Sequence, residues 1–180
     1  MRIFSAIAFL CLVQVSLGFF GYTRKFNTHD EPAIPNTNRL FQPNPKAVVE
    51  KYIEVPVNHF NHQDHRVYPM RYFENNVHFQ PGGPIFIYVG GEWQISAGSI
   101  NQGTHIYDMA REYNGTLFYT EHRYYGLSHP TKDTSTENLR YLSVDQALAD
   151  IAFFIDYVKK NYPGLENSGV FMLGASYSGN

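Results

Sequence analysis

The chain has 180 residues, of which 43% are hydrophobic, 16% aromatic and 17% charged. This length suits one domain, and the composition is that of a globular protein, which excludes a low-complexity or intrinsically disordered chain. The formal net charge is −2 and the sequence contains no run of lysine and arginine. These two features argue against binding to nucleic acid or to an anionic membrane surface.

The first 18 residues have the features of a secretory signal peptide. Arg2 supplies a positive charge, residues 3–15 are almost entirely apolar, and residues 16–18 offer small side chains for cleavage. The apolar run is short for a membrane span. The alternative to a signal peptide is a buried N-terminal helix. We expect entry into the secretory pathway and an extracellular or lysosomal location.

Three further features concern the exported chain. Cys11 is the only cysteine and lies in the predicted signal, so the rest of the chain has neither an internal disulfide nor a thiol nucleophile. Asn114 begins an Asn-Gly-Thr sequon for N-linked glycosylation. Residues 19–50 lack a sustained hydrophobic period, which predicts a propeptide or an extended N-terminal arm.

The middle of the chain predicts strands and one short helix. Residues 51–57 and 66–73 have β-rich, roughly alternating composition and predict two strands, with a histidine-rich loop between them. Residues 85–89 and 116–120 are apolar runs that suit strands buried on both faces. Residues 105–113 predict a short helix between these two strands.

The C-terminal third predicts a longer helix and a last strand. Residues 143–162 have helical spacing, and Ser143 with Gln146 three residues later forms a capping box. The apolar positions of this helix are Val144, Ala147, Leu148, Ile151, Ile155 and Val158. Residues 170–173 form an apolar strand. The alternation of strands and helices predicts an α/β fold with a mostly parallel sheet covered by helices.

A serine follows the last strand in a glycine-containing turn. Gly174 precedes Ser176 by two residues, while Ser178 and Gly179 follow it. A nucleophile elbow places serine on such a strand-to-helix turn and needs small flanking residues. A glycine-rich turn without catalysis, such as a phosphate-binding loop, has a similar sequence. Ser176 is therefore the candidate nucleophile.

An oxyanion hole would need two backbone N–H groups near this serine. One comes from the residue after the nucleophile, here Tyr177, and the other from a glycine-rich loop after an earlier strand. Gly90 and Gly91 follow residues 85–89 and have the required order. An ordinary tight turn would have the same sequence.

Two other groups of polar residues are candidates for a functional site. His59, His62 and His65 lie with Asp64 in one polar loop, but their spacing matches no recognised zinc pattern, and no metal is expected there. His122 follows a predicted buried strand. A base of the α/β-hydrolase type follows the serine in the chain, so we expect His122 to have a structural role.

Four segments together closely resemble the serine carboxypeptidase S28 family. They are Val-Gly-Gly-Glu at 89–92, Thr-Glu-His-Arg-Tyr-Tyr-Gly at 120–126, Leu-Ser-Val-Asp-Gln-Ala-Leu-Ala-Asp at 142–150 and Gly-Ala-Ser-Tyr-Ser-Gly at 174–179. The resemblance covers about residues 51–180. It departs from the usual family pattern at Ala175 and Ser178, where glycine is typical, and at Asn58, where aspartate is favoured.

The resemblance implies the N-terminal part of an α/β-hydrolase fold, cut just after the elbow. Ser176 would be the nucleophile, with Tyr177 N–H and the Gly90–Gly91 loop as the oxyanion hole. The family's catalytic Asp and His lie downstream of the elbow. We therefore expect the chain to be a fragment, a partial gene model or an unstable splice product, and inactive alone.

The function that the resemblance implies is cleavage of short peptides next to proline, at either the amino or the carboxyl end. It implies no cofactor and allows for a homodimer of the full-length protein. From its position alone, Glu92 is a candidate to bind a substrate's α-amino group. Two alternatives stay open: an esterase or lipase of the same fold, and a secreted non-catalytic binding protein.

Overall fold

The computed structural model describes residues 47–179. The predicted signal peptide and residues 19–46 of the predicted arm lie outside the described residues. Five strands, two α-helices and three short 3₁₀ helices follow one another along the described chain. The strands are β1 (Val48–Pro56), β2 (Val67–Asn75), β3 (Ile85–Val89), β4 (Thr116–Thr120) and β5 (Val170–Leu173). The α-helices are α1 (His105–Tyr113) and α2 (Val144–Asn161), and the 3₁₀ helices are Ala97–Ile100, Asn138–Tyr141 and Ser176–Gly179.

The strands form one mixed sheet in the order β1-β2-β4-β3-β5. Strand β3 is parallel to β4 and to β5, whereas β2 is antiparallel to β1 and to β4. The prediction of a mostly parallel sheet is thus correct only for β3, β4 and β5. A short loop joins β1 to β2 and permits only an antiparallel pair, while crossovers containing helices allow the parallel pairs.

The predicted bounds of β3, α1, β4 and β5 are confirmed. Strand β1 begins at Val48, so the last three residues assigned to the predicted arm belong to the sheet. Val48 is paired with Asn75 at the far end of β2, and each residue of β1 has a partner in that strand.

Apolar side chains cover both faces of the sheet. One face packs against α2, which contributes Phe154 and Val158 to a cluster with Tyr72 and Phe118. The other face packs against α1, which contributes Ile106 and Ala110. Strand β5 lies at the edge of the sheet, and its Phe171 and Met172 are exposed. This mixed α/β arrangement fits an α/β-hydrolase-like fold.

The apolar positions of helix α2 are not all buried. Val144 is 56% exposed and Leu148 63% exposed, although both are among the apolar residues that recur at helical spacing. The buried residues are Gln146, Asp150, Phe154 and Val158, which recur every four positions. In the first half of the helix, polar side chains therefore occupy the buried face.

The predicted capping box at the start of α2 is only half formed. Ser143 Oγ accepts a hydrogen bond from Gln146 N at 3.3 Å, as expected for an N-cap. The Gln146 side chain does not return to Ser143. Its Nε2 donates to Asn58 Oδ1 at 2.7 Å, and its Oε1 accepts from His59 N at 3.0 Å. Gln146 therefore binds the β1–β2 loop to α2.

Candidate active site

Ser176 lies on a tight turn directly after β5. Its φ is 57°, in the left-handed region that few residues other than glycine adopt. Gly174 is required at its position because a β-carbon there would overlap the Ser178 carbonyl oxygen. The Ser176 side chain is exposed. A strained, exposed serine at the end of a strand has the geometry of a nucleophile elbow.

Ser178 links this turn to β3. Its Oγ accepts a hydrogen bond from Ala175 N at 3.2 Å and lies 3.0 Å from both Val89 O and Ala175 O. The single hydroxyl proton can be donated to only one of these carbonyls at a time. Serine therefore adds a contact between the elbow and β3 that a glycine cannot make.

The two glycines after β3 differ in the use of their amides. Gly90 N donates to Thr120 O at 2.9 Å, so this N–H is occupied and cannot serve an oxyanion in this conformation. Between residues 47 and 179, the N–H of Gly91, which lies in a loop, has no acceptor. Gly91 is thus the candidate donor of this loop, which narrows the prediction that named both glycines. Glu92 follows it and is exposed.

Glu121 holds two loops beside the elbow through its buried carboxylate. Arg71 donates to it through Nη2 at 2.6 Å and through Nε at 3.2 Å. Ile95 N donates at 3.1 Å from the loop after β3, and Leu127 N donates at 2.9 Å from the loop after β4. Ser128 Oγ adds a fifth bond at 2.9 Å. This carboxylate thereby fixes the segment that carries Gly91.

Gly126 makes room for Glu121. Its φ is 56°, and a β-carbon at this position would overlap the Glu121 carboxylate. These contacts explain why the Glu-His-Arg-Tyr-Tyr-Gly block needs both a glutamate at its start and a glycine at its end.

Arg123 and Asp150 form a second buried ion pair. Arg123 also donates to the backbone carbonyls of Val57 and Tyr141. Asp150 also accepts from Tyr68 Oη at 2.9 Å and lies 2.7 Å from His59 Nε2. Burial alone would lower the pKa of Arg123, but its bonds to Asp150 outweigh this effect and raise the pKa.

His59 thus has a partner other than a metal. Over residues 47–179, no three or more His, Cys, Asp and Glu side chains are arranged to hold a metal ion. Over the same residues, no helix is long and apolar enough to cross a membrane.

His122 is buried next to the elbow. Its Nδ1 lies 2.8 Å from Arg123 O, and its ring packs edge-on against Tyr177 at a centroid distance of 5.7 Å. Its Nε2 is buried and has no hydrogen-bond partner among the described residues. Burial lowers the pKa of the imidazole, which favours the neutral ring. A small, mainly apolar pocket of about 120 Å³ is lined by His122 and Tyr177 and by Leu148 and Ile151 of α2.

The model of the family described as serine carboxypeptidase S28 matches residues 55–180, which make up most of the chain. The chain belongs to the serine carboxypeptidase S28 family. It is 38% identical to lysosomal Pro-X carboxypeptidase of Mus musculus over 153 residues, which cover 81% of this chain and 31% of that protein. It is 37% identical to prolyl carboxy peptidase like protein 5 of Caenorhabditis elegans over 134 residues, which cover 72% of this chain and 26% of that protein.

A third relative is named as an extracellular protein. A protein named probable extracellular serine carboxypeptidase, from Arthroderma benhamiae, is 36% identical over 142 residues, which cover 71% of this chain and 19% of that protein. The chain therefore spans between 19% and 31% of the length of these three relatives. A solved arylesterase structure covers 70% of this chain and 35% of its own at 14% identity, with a TM-score of 0.35 that is too low to bear on the fold.

The position at which the S28 pattern favours aspartate is occupied by Asn58. Its Oδ1 accepts hydrogen bonds from Gln146 Nε2 at 2.7 Å and from Phe60 N at 3.1 Å. An aspartate could accept both bonds, so the asparagine preserves the link between the β1–β2 loop and α2.

Sequence reasoning missed the two buried ion pairs. The positions of two charged residues nevertheless point to these pairs. Arg71 lies within the largely buried strand β2, and Asp150 lies four residues before the buried Phe154 of α2. Charged residues are rarely buried without a partner. An ionisable residue on a buried face therefore predicts an opposite charge nearby.

Proposed function

We propose that the protein carrying this chain is a serine peptidase that cleaves short peptides next to proline, with Ser176 as its nucleophile. The observation that supports this proposal most is the strained backbone of Ser176, with φ of 57°, directly after β5. Such strain at an exposed serine is costly and persists where the surrounding structure maintains it. In a member of the S28 family, catalysis is the simplest reason for it.

In the proposed reaction, Ser176 Oγ attacks the carbonyl carbon of the scissile bond and forms an acyl-enzyme. The N–H group of Gly91 is an unoccupied donor of the kind that stabilises the tetrahedral oxyanion. The N–H of Tyr177, the residue after the nucleophile, would be the second donor. A histidine downstream of the elbow would take the serine proton and pass it to the leaving amine, and an aspartate would orient that histidine.

The proposal that the protein cleaves next to proline is supported by the names of its relatives. Two of them carry the names lysosomal Pro-X carboxypeptidase and prolyl carboxy peptidase like protein 5. We extend this specificity to the present protein and favour release of the residue that follows proline at the carboxyl end of a peptide. Such a substrate presents a carboxylate next to the scissile bond.

The second candidate is a dipeptidyl peptidase that recognises the amino end of its substrate. Glu92 supports it, because its exposed carboxylate follows Gly91 directly and could bind an α-amino group. In this case Glu92→Gln would raise KM for peptides with a free amino terminus. An unchanged KM would exclude this role for Glu92.

We also propose that the protein enters the secretory pathway. Asn114 ends α1 in a left-handed conformation with φ of 53°, and it is exposed, so its side-chain amide is accessible to glycosylation. A loss of mass on treatment of the native protein with an N-glycosidase, absent in Asn114→Gln, would support it. An unchanged mass would show that the site is unused.

The deciding experiment is fluorophosphonate labelling of the intact native protein that contains this sequence. Labelling that maps to Ser176 and disappears in Ser176→Ala would support the proposed nucleophile. Proline peptides and simple aryl esters would then separate a peptidase from an esterase or lipase. A folded protein that takes no label would favour a non-catalytic binding protein.

A further inference from the structure

The indole ring of Trp93 lies against the backbone of Gly91. A β-carbon at position 91 would be 2.5 Å from Cζ3 and Cη2 of Trp93 and 3.2 Å from its Cε3. Real β-carbons do not approach other atoms this closely. The ring therefore covers the α-carbon of Gly91, and the backbone cannot move towards it without displacing the indole.

Trp93 is itself held by the sheet. Its Nε1–H donates to Tyr119 Oη at 2.7 Å. Tyr119 lies in β4, is only 1% exposed, and stacks on Tyr88 of β3 with ring centroids 4.6 Å apart. A buried tyrosine in the middle of a sheet is a rigid acceptor. The position of the indole is thus determined by the core.

The loop that carries Gly91 is also tied at both ends. Gly90 N–H is bound to Thr120 O, and Ile95 N–H is bound to the Glu121 carboxylate. Between these two bonds, Trp93 makes the hydrogen bond that joins the loop to the interior of the sheet. Breaking it would leave the Gly91 amide free to rotate within the segment between Gly90 and Ile95.

We propose that Trp93, through its bond to Tyr119, is a positioning residue that orients the Gly91 N–H as an oxyanion donor. This inference rests on the proposed function. An oxyanion forms only in the transition state, so a misplaced donor weakens transition-state binding and leaves substrate binding unchanged. A misplaced donor is therefore expected to lower kcat and to leave KM unchanged.

A different role would give a different kinetic result. Trp93 is half-buried, so its ring could contact the substrate directly. Loss of a substrate contact that is equal in the ground state and the transition state raises KM without changing kcat. The two parameters therefore separate positioning from substrate recognition.

The experiment uses the intact protein and two substitutions that keep an aromatic ring. Tyr119→Phe removes the acceptor, and Trp93→Phe removes the donor. We expect each to lower kcat about tenfold with little change in KM, since small misplacements at a reacting centre are costly. The double variant should be no slower than the slower single variant, because both remove the same interaction.

Tyr88→Phe is the matched control. It removes a hydroxyl from the ring stacked on Tyr119, and the Tyr88 hydroxyl makes no hydrogen bond within residues 47–179. Its kcat should equal that of the wild type. Thermal unfolding identifies a variant that fails to fold, and Tyr119→Phe alone decides the matter if Trp93→Phe is lost in this way.

Three results would overturn the inference: an unchanged kcat in Tyr119→Phe, a raised KM with unchanged kcat, or losses that multiply in the double variant. Failure of the proposed function is distinguishable from these, because the wild-type protein would then take no fluorophosphonate at Ser176 or would cleave no proline peptide.

Discussion

Arg123 binds Asp150 through two hydrogen bonds, from Nε to Oδ2 at 2.7 Å and from Nη2 to Oδ1 at 2.6 Å. Arg123 follows the central strand β4, and Asp150 lies on the buried face of α2. The pair therefore determines which side of the helix meets the sheet. It turns Asp150 inward and leaves Leu148, an apolar residue of the same helix, 63% exposed.

Replacing Asp150 with asparagine should destabilise the protein strongly. The substitution leaves the buried Arg123 guanidinium without its counter-charge, and breaking a buried pair in this way costs about 3–5 kcal/mol. Urea unfolding of the intact protein measures the change. Asp156→Asn is the control, because Asp156 is exposed on the same helix and should cost little. Equal effects of the two substitutions would contradict the role of the pair.

Gly126→Ala should be far more harmful than Gly103→Ala. Both glycines have positive φ, of 56° and 93°, so alanine at either position carries a backbone cost of about 1 kcal/mol or more. A β-carbon at Gly126 would also overlap the Glu121 carboxylate, whereas nothing lies within 4 Å of one at Gly103. We expect an additional loss of about 2 kcal/mol at Gly126 from this crowding. Thermal unfolding midpoints that match for the two variants would contradict the packing argument.

His122 should make the fold less stable as the pH falls. Burial lowers the pKa of its imidazole from the ordinary value of 6.5. The unfolded chain then binds the proton more readily than the folded one. The contribution is therefore full above pH 6.5 and is lost as the pH falls towards the lowered pKa.

Unfolding midpoints measured from about pH 7.5 to about pH 5, the range in which histidine titrates, test this prediction. The pH dependence should be weaker in His122→Asn, which keeps a polar group near the Arg123 carbonyl without a titrating ring. His62→Asn, in an exposed loop, is the control and should follow the wild type. An identical pH dependence in His122→Asn and the wild type would exclude His122 as its source.

Ser178 should stiffen the elbow. Ser178→Gly restores the residue that the S28 pattern favours, but removes the bond to Val89 O or Ala175 O and adds backbone freedom. We expect a loss of stability of about 1 kcal/mol and slower fluorophosphonate labelling of Ser176. Ser178→Ala separates the two causes, because it removes the hydroxyl and keeps the β-carbon. Labelling at the wild-type rate in both variants would show that the hydroxyl is not needed.

Much of the fold follows from local sequence. The bounds of β3, α1, β4 and β5 were predicted to the residue. These elements are short and apolar or amphipathic, and most of their ends lie next to glycine, proline or asparagine, which favour turns. The turn at Ser176 was likewise visible in the chain, because small residues around a serine after an apolar strand are a property of a few consecutive positions.

The tertiary structure decided which of these local features meet one another. Helix α2 had an apolar stripe in its sequence, but the distant Arg123 and Asn58 bind Asp150 and Gln146 and rotate a partly polar face inward. Gly90 and Gly91 are adjacent residues of the same type. Only the hydrogen bond to Thr120 O in the folded structure shows that the Gly90 amide is occupied.

The same holds for the bond from Trp93 to Tyr119, which joins residues 26 positions apart. The periodicity of hydrophobic residues and the preference of residues for turns act over a few positions, so both can be recognised in the sequence. The packing of the sheet determines which groups pair with the buried charges and which backbone amides stay free. It does so by bringing together segments that are distant in the sequence.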